Sequence, residues 1–207
     1  MNPFFAVHEH PAGAAPAAPW RPFRELVDEP TVLTERIAAI QAYLAGGGGS
    51  PSARVAGSVT HLGLVARLIS PTLGFAASTG EFPAIDLAEV WWQPELGGTF
   101  PLSLHYHEGG SPAAFVDGPL RTVTSAFDVS AKVLWGNVAS AINGAATMLA
   151  NARAAAIAND LLDTPLLRGT STRRANGGFQ RRSCCLIYQA AAEPNRYAVC
   201  GDCVLIP

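Results

Sequence analysis

The first 183 residues of this chain contain no cysteine, and the full 207 contain four: Cys184, Cys185, Cys200 and Cys203. A disulfide framework running through the fold is thereby excluded. Charge is scarce as well. Charged residues make up 14 %, where an average soluble domain has about 25 %. The formal net charge is −2, so no basic excess draws the chain onto nucleic acid or an anionic membrane. Nucleotide loops are missing too. No GKS or GKT phosphate loop occurs, and "GGGGS" follows one helical pattern and precedes another instead of joining a strand to a helix. It reads as an interhelical turn, and the chain is not expected to bind NAD(P) or ATP by itself.

The opening "MNPFFAVHEHPAGAAPAAPW" has neither a basic n-region nor a continuous apolar h-region, which predicts a cytoplasmic protein with reduced thiols, free or peripheral at the inner face of the membrane. One uncharged run, "VLWGNVASAINGAATMLANA" at 133–152, has spanning length. Its three asparagines need partners at bilayer depth and its alanines supply little insertion energy, so a buried core helix is expected and no transmembrane segment.

What is present reads as a single α+β domain of several helices and a small antiparallel sheet, with an appended cysteine tail. Residues 1–20, rich in Ala and Pro, are expected to form a flexible arm. A helix is predicted from Pro30, with Leu33, Ile37, Ile40 and Leu44 on one face and four glycines ending it. A second, apolar nearly all round, is expected to be capped by Ser50, to start at Pro51 and to stop before Pro71. "AIDLAEVWWQ" and "TFPLSLHYHE" read as neighbouring strands. Helix returns from about Val129 to Leu162, as one element or as two joined near Gly144. The main α+β region thus covers 21–164, a basic linker 165–183, and the cysteine segment 184–207.

The cysteines are spaced C-C-x14-C-x2-C. Disulfides conflict with a reducing compartment, and adjacent cysteines bridge each other only with strain. Structural zinc normally uses two C-x2–4-C pairs, and only Cys200–Cys203 has that form. A [2Fe–2S] cluster, with two irons each taking two thiolates, suits the adjacent pair better, provided the backbone bends there. Gly177 and Gly178 offer such a bend just upstream. Leu186, Ile187, Tyr188, Tyr197, Val199, Val204 and Leu205 would shield it. Zinc and disulfides remain the alternatives.

"RRSCCLIY…CGDC" resembles the carboxy-terminal [2Fe–2S] motif of the FhuF-like ferric-siderophore reductases. "VAGSVTHLGLVARLISPTLG", "WWQ…PLSL" and "VLWGNVASAI" are similar to segments of the same family, so the resemblance spans roughly residues 50–207. The fourteen-residue spacer is longer than the family's. The resemblance implies that all four cysteines are cluster ligands and that the substrate is a ferric siderophore, with a hydroxamate favoured over a strongly anionic catecholate. Reduction of Fe(III) then needs no catalytic acid or base beyond the cluster. Without a nicotinamide site, electrons are expected from a ferredoxin-like or flavoprotein donor. The same cluster also suits a simple electron carrier or redox sensor, and a zinc-stabilised binding module is the non-redox alternative.

Five arginines precede or flank the cysteines: Arg168, Arg173, Arg174, Arg181 and Arg182. Arg181 and Arg182 in particular are expected to favour the reduced cluster or to dock an acidic donor; a solvated basic linker is the plain alternative. Trp91, Trp92, His105, Tyr106 and His107 are candidates for the siderophore side, with ordinary strand packing as the alternative. His105 and His107 share a face of a strand and could also catch departing Fe(II). His61 is expected to be a hydrogen-bonded core histidine, and Trp135 core with a pocket role open.

Overall fold

The structure, a computed structural model, describes residues 2–175, 177–191 and 199–205. The fold is α+β, as expected. β1 (His8–Glu9), β2 (Arg21–Pro22), β3 (Trp91–Trp92) and β4 (Leu102–Leu104) form a small sheet in the order β1-β4-β3-β2. β2–β3 and β3–β4 are antiparallel, and β1 joins β4 in parallel. Around it lie α1 (Glu25–Asp28), α2 (Pro30–Ala45), α3 (Ala53–Thr79), α4 (Pro112–Phe115), α5 (Arg121–Ser125), α6 (Ala131–Leu149) and α7 (Ala152–Leu162).

α3 is the axis. Leu64, Val65, Leu68, Ile69 and Leu73 are sealed from solvent, and α2, α6 and α7 all pack on it. Its cap is Ser52, whose Oγ accepts from the Val55 N–H, and not Ser50. Pro71 does not end the helix either. It lies inside α3, itself buried. A proline there forfeits one backbone hydrogen bond, and the packing of Leu68, Ile69 and Leu73 outweighs that loss. α3 is, among the described residues, long and apolar enough to cross a membrane by length and composition, with 67 % of its most apolar window buried within the protein. The 133–152 run is the core helix α6 plus the break after it.

That break falls at Ala150, not near Gly144, which sits inside α6. Ala150 turns left-handed at φ 50°, and Asn151 Oδ1 accepts from the Ala154 N–H to start α7. The glycine run is the turn between α2 and α3, as read from sequence. Gly49 has a further reason to lack a Cβ, which would strike the Ala190 carbonyl of the cysteine tail.

Within the stretch expected to be a flexible arm, residues 4–10 are tied to α3 and β4. Arg67, almost fully buried, donates from Nη1 to the Phe4 carbonyl (2.8 Å) and from Nη2 to that of Ala6 (2.9 Å), while Nε reaches Phe100 O (3.0 Å). Carbonyls satisfy a desolvated guanidinium where no carboxylate is at hand. On the same segment, His10 Nδ1 stands 2.7 Å from Ser103 Oγ of β4.

Candidate metal centre

The stretch expected to be a basic linker, 165–183, contains two paired strands. β5 (Ser171–Arg173) and β6 (Phe179–Arg181) pair antiparallel, with Gly177 at φ 79° in the turn. Gly177 therefore serves the hairpin. The bend that turns the cysteine pair comes after it, at Leu186, whose φ is 68°. Residues 187–190 then form a 3-10 turn against α3.

All four sulfurs meet in one neighbourhood. Cys185 Sγ and Cys200 Sγ are 3.7 Å apart. Burial pushes the Cys184 thiol up, and Cys185 and Cys203 lie close enough to add to that rise. Backbone amides point at sulfur, with Leu186 N–H at Cys184 Sγ and Leu205 N–H at Cys203 Sγ, each at 3.3 Å. Cys185 and Cys203 are buried, while Cys184 and Cys200 keep partial access to solvent. The Cys200 thiol donating to it, together with the Ile187 N–H and Arg181, brings the Cys185 thiol down to about 6 against the opposing effect of burial. Cys200 goes up, as the partner that keeps its proton beside that sulfur and in a partly desolvated place.

The loops are anchored from both sides. Cys203 O accepts from Arg174 Nη2 (3.1 Å) and Gln180 Nε2 (3.3 Å) on the hairpin. Ser140 on α6 donates to the Asp202 carboxylate. Cys185 O accepts from Ser58 Oγ of α3 at 2.8 Å, and Ser58 in turn meets Asn137 Nδ2 at 3.1 Å.

Arg181 is the centre of this arrangement. It is 1 % exposed, its Nη2 donates to Asn137 Oδ1 at 2.7 Å, and its Nε has no partner among the described residues. No carboxylate among the described residues lies within 4 Å of it. α6 makes room through Gly136, where a Cβ would collide with Ser183 Oγ and crowd Arg181 Nη2. Arg182, by contrast, is exposed, as are Arg168 and Arg173. The five arginines thus divide into one interior cation, one loop clamp (Arg174) and three surface charges.

The other sequence candidates lie elsewhere. Trp92 is 1 % exposed, with Nε1 on Glu25 Oε1 at 2.9 Å and Arg21 and Arg36 over its ring. It is core and offers nothing to a substrate. Alternation along β3 leaves Trp91 half-buried on the other face. His105 and His107 are brought together outside a strand, their rings 4.7 Å apart, and His107 Nε2 meets Glu89 Oε2 at 2.6 Å. Tyr106 stacks on Phe75, seventeen residues along α3 from Ser58, or about 25 Å at 1.5 Å per residue. The histidine pair and the thiols therefore sit at opposite ends of α3. His61 is the hydrogen-bonded core histidine expected. Thr124 gives its proton to Leu120 O (2.6 Å), so His61 Nε2 donates to Thr124 Oγ1 (3.2 Å). Trp135 is half-buried and packs against the core. Of the apolar shield, Leu186, Ile187, Tyr188 and Val199 are half-buried, Val204 and Leu205 are exposed, and Tyr197 lies outside the described residues.

Among the described residues, no three His, Cys, Asp or Glu side chains already stand in a metal-holding arrangement. The donor set nevertheless fits a thiolate-bound group. Two thiolates about 2.3 Å from one tetrahedral ion are about 3.8 Å apart, close to the Cys185–Cys200 spacing. The amides aimed at sulfur and the orphaned Nε of a buried cation both suit an anionic occupant.

Fold and site together define an α+β domain with a four-cysteine centre packed over a buried arginine. No family model matches the chain, and no curated protein matches it either.

Proposed function

We propose that the protein is a cytoplasmic ferric-siderophore reductase carrying a [2Fe–2S] group on Cys184, Cys185, Cys200 and Cys203. The observation that supports this most is the meeting of four sulfurs near Arg181, a buried cation with no carboxylate within 4 Å among the described residues. A four-thiolate iron site is anionic and gains negative charge on reduction, and a fixed cation in a low-dielectric interior favours that gain. The likeness of "RRSCC…CGDC" to the FhuF-like reductases supplies the substrate class.

When bound, the group supplies one electron, which is what Fe(III) to Fe(II) requires. The chain's own residues do the rest. Leu186 and Leu205 amides satisfy sulfur lone pairs, Ser58, Arg174 and Gln180 fix the two loops, and Cys184 and Cys200 leave one edge open. Arg182 on the surface suits an acidic ferredoxin-like or flavoprotein donor, met in a small, transient encounter. Hard siderophore oxygens hold Fe(II) far less tightly than Fe(III), so reduction releases the metal. The near-neutral chain favours hydroxamate chelates over strongly anionic catecholates.

Anaerobic purification tests the assignment. The expected product is reddish-brown, with iron and sulfide in equal amounts and visible thiolate-to-iron bands. NADPH alone should leave it oxidised, whereas NADPH with a ferredoxin reductase system should bleach it. A colourless protein with stoichiometric zinc would establish the binding-module alternative instead.

A further inference from the structure

The hairpin that carries the cysteine tail has a second side. Two adjoining hollows, of about 390 and 350 Å³, share Asn159, Leu162 and Arg173. Together they make one groove between α6, α7 and β5–β6. Its wall alternates with the anchors of the metal centre: Arg173 faces the groove while Arg174 holds Cys203 O, and Phe179 faces it while Gln180 holds the same carbonyl. On α6 its nearest wall residue, Asn143, is three positions from Ser140, which grips Asp202. That is about 5 Å along the helix.

The groove's chemistry is that of a receptor for a large, oxygen-rich and nearly neutral molecule. Arg168, Arg173, Asn143 and Asn159 bring amide and guanidinium donors over an apolar floor that includes Phe179 and Leu162, and Asp163 is the carboxylate among them. Arg173 is loosely held, its Nη2 reaching Asn159 Oδ1 at 3.5 Å and its Nη1 reaching Gly177 O at 3.4 Å, so it can turn to an incoming acceptor. A larger hollow of about 660 Å³ opens beyond Phe75, Tyr106 and Met148. It is mostly apolar and lies further from the cysteines along both α3 and α6.

We infer that the α6–α7–hairpin groove is the docking site of the ferric hydroxamate chelate, placing its iron one hairpin's thickness from Cys203. This rests on the reductase reading, and the test separates the two. A gallium(III) trihydroxamate has the same shape and charge as the ferric complex but accepts no electron, so its binding is independent of turnover. Calorimetric titration of the intact, cluster-loaded protein with the gallium complex should show saturable binding. Ala155→Trp, Asn159→Leu and Arg173→Gln all alter exposed groove positions, and each should weaken binding by about tenfold or more. Reoxidation of the same variants by ferricyanide, which needs no groove, should keep its wild-type rate. Wild-type affinity in all three variants would overturn the groove while leaving the reductase reading intact. Absence of any binding to the unaltered protein, alongside a normal cluster, would overturn both.

Discussion

Arg181 donates to the side-chain oxygen of Asn137 over 2.7 Å, and both residues are sealed from solvent. Through Asn137 and Ser58 this contact continues to the Cys185 carbonyl. Arg181→Gln should therefore lower the midpoint potential of the bound group, by on the order of 50 mV, since about 59 mV is tenfold for one electron. Arg181→Lys, which keeps the charge, should recover much of it. Arg182→Gln should leave the midpoint unchanged and slow reduction by an acidic donor at low salt. Redox titration and salt-dependent kinetics separate the two roles.

Each cysteine is expected to supply one ligand. Replacing any of Cys184, Cys185, Cys200 or Cys203 by Ser should cut iron and sulfide content by roughly tenfold or more. Cys185→Ser is the sharpest case, because Cys185 is the member of the adjacent pair that stands 3.7 Å from Cys200. Full iron occupancy with normal visible bands in that variant would show that the pair does not ligate together.

Burial and the neighbouring Arg181 bring His61 from 6.5 down to about 3 in the fold. The unfolded chain binds a proton there between those values and the folded chain does not. The stability this contributes is present above pH 6.5 and is lost as pH falls. At pH 5 the loss is about 2 kcal/mol. Urea unfolding at pH 7 and pH 5 should show that extra drop in the parent protein and lack it in His61→Gln.

His105→Gln and His107→Gln, at the other end of α3 from the thiols, should bind the gallium chelate and react with the ferric one as the parent does. Trp92→Leu should instead destabilise by about 3 kcal/mol or more, the usual result of emptying a large buried site. Denaturant melts and chelate titrations on the same samples check both halves.

Much of the fold could be read from local pattern, because local chemistry and packing agreed there. Pro30 opens α2 and the glycine run closes it. Where they disagreed, packing won. Pro71 would stop an exposed helix, yet α3 continues to Thr79 because the residues around the proline are enclosed. Local pattern leaves one long helix or two joined near Gly144, whereas the break comes at Ala150, because the cue is Asn151 as a cap and not a glycine. The four cysteines that cluster in sequence also meet in the fold, but the groups that support them do not show in the spacing. In the sequence Arg181 is one more cation in a polar connector. Gly136 followed by Asn137, in a helix otherwise packed with apolar groups, was the available hint that something polar is buried against α6. The groove drew on residues from three elements distant in sequence, which no linear motif records.

The most direct test is a single turnover. Protein reduced beforehand and freed of reductant is mixed with a ferric trihydroxamate and an Fe(II) chromophore, and the visible bands are followed. The account predicts that the oxidised spectrum returns as Fe(II) appears, at about one iron per cluster because the centre gives one electron. A protein that stays reduced with every ferric siderophore, yet reoxidises promptly with an oxidised ferredoxin, would be an electron carrier and would contradict it.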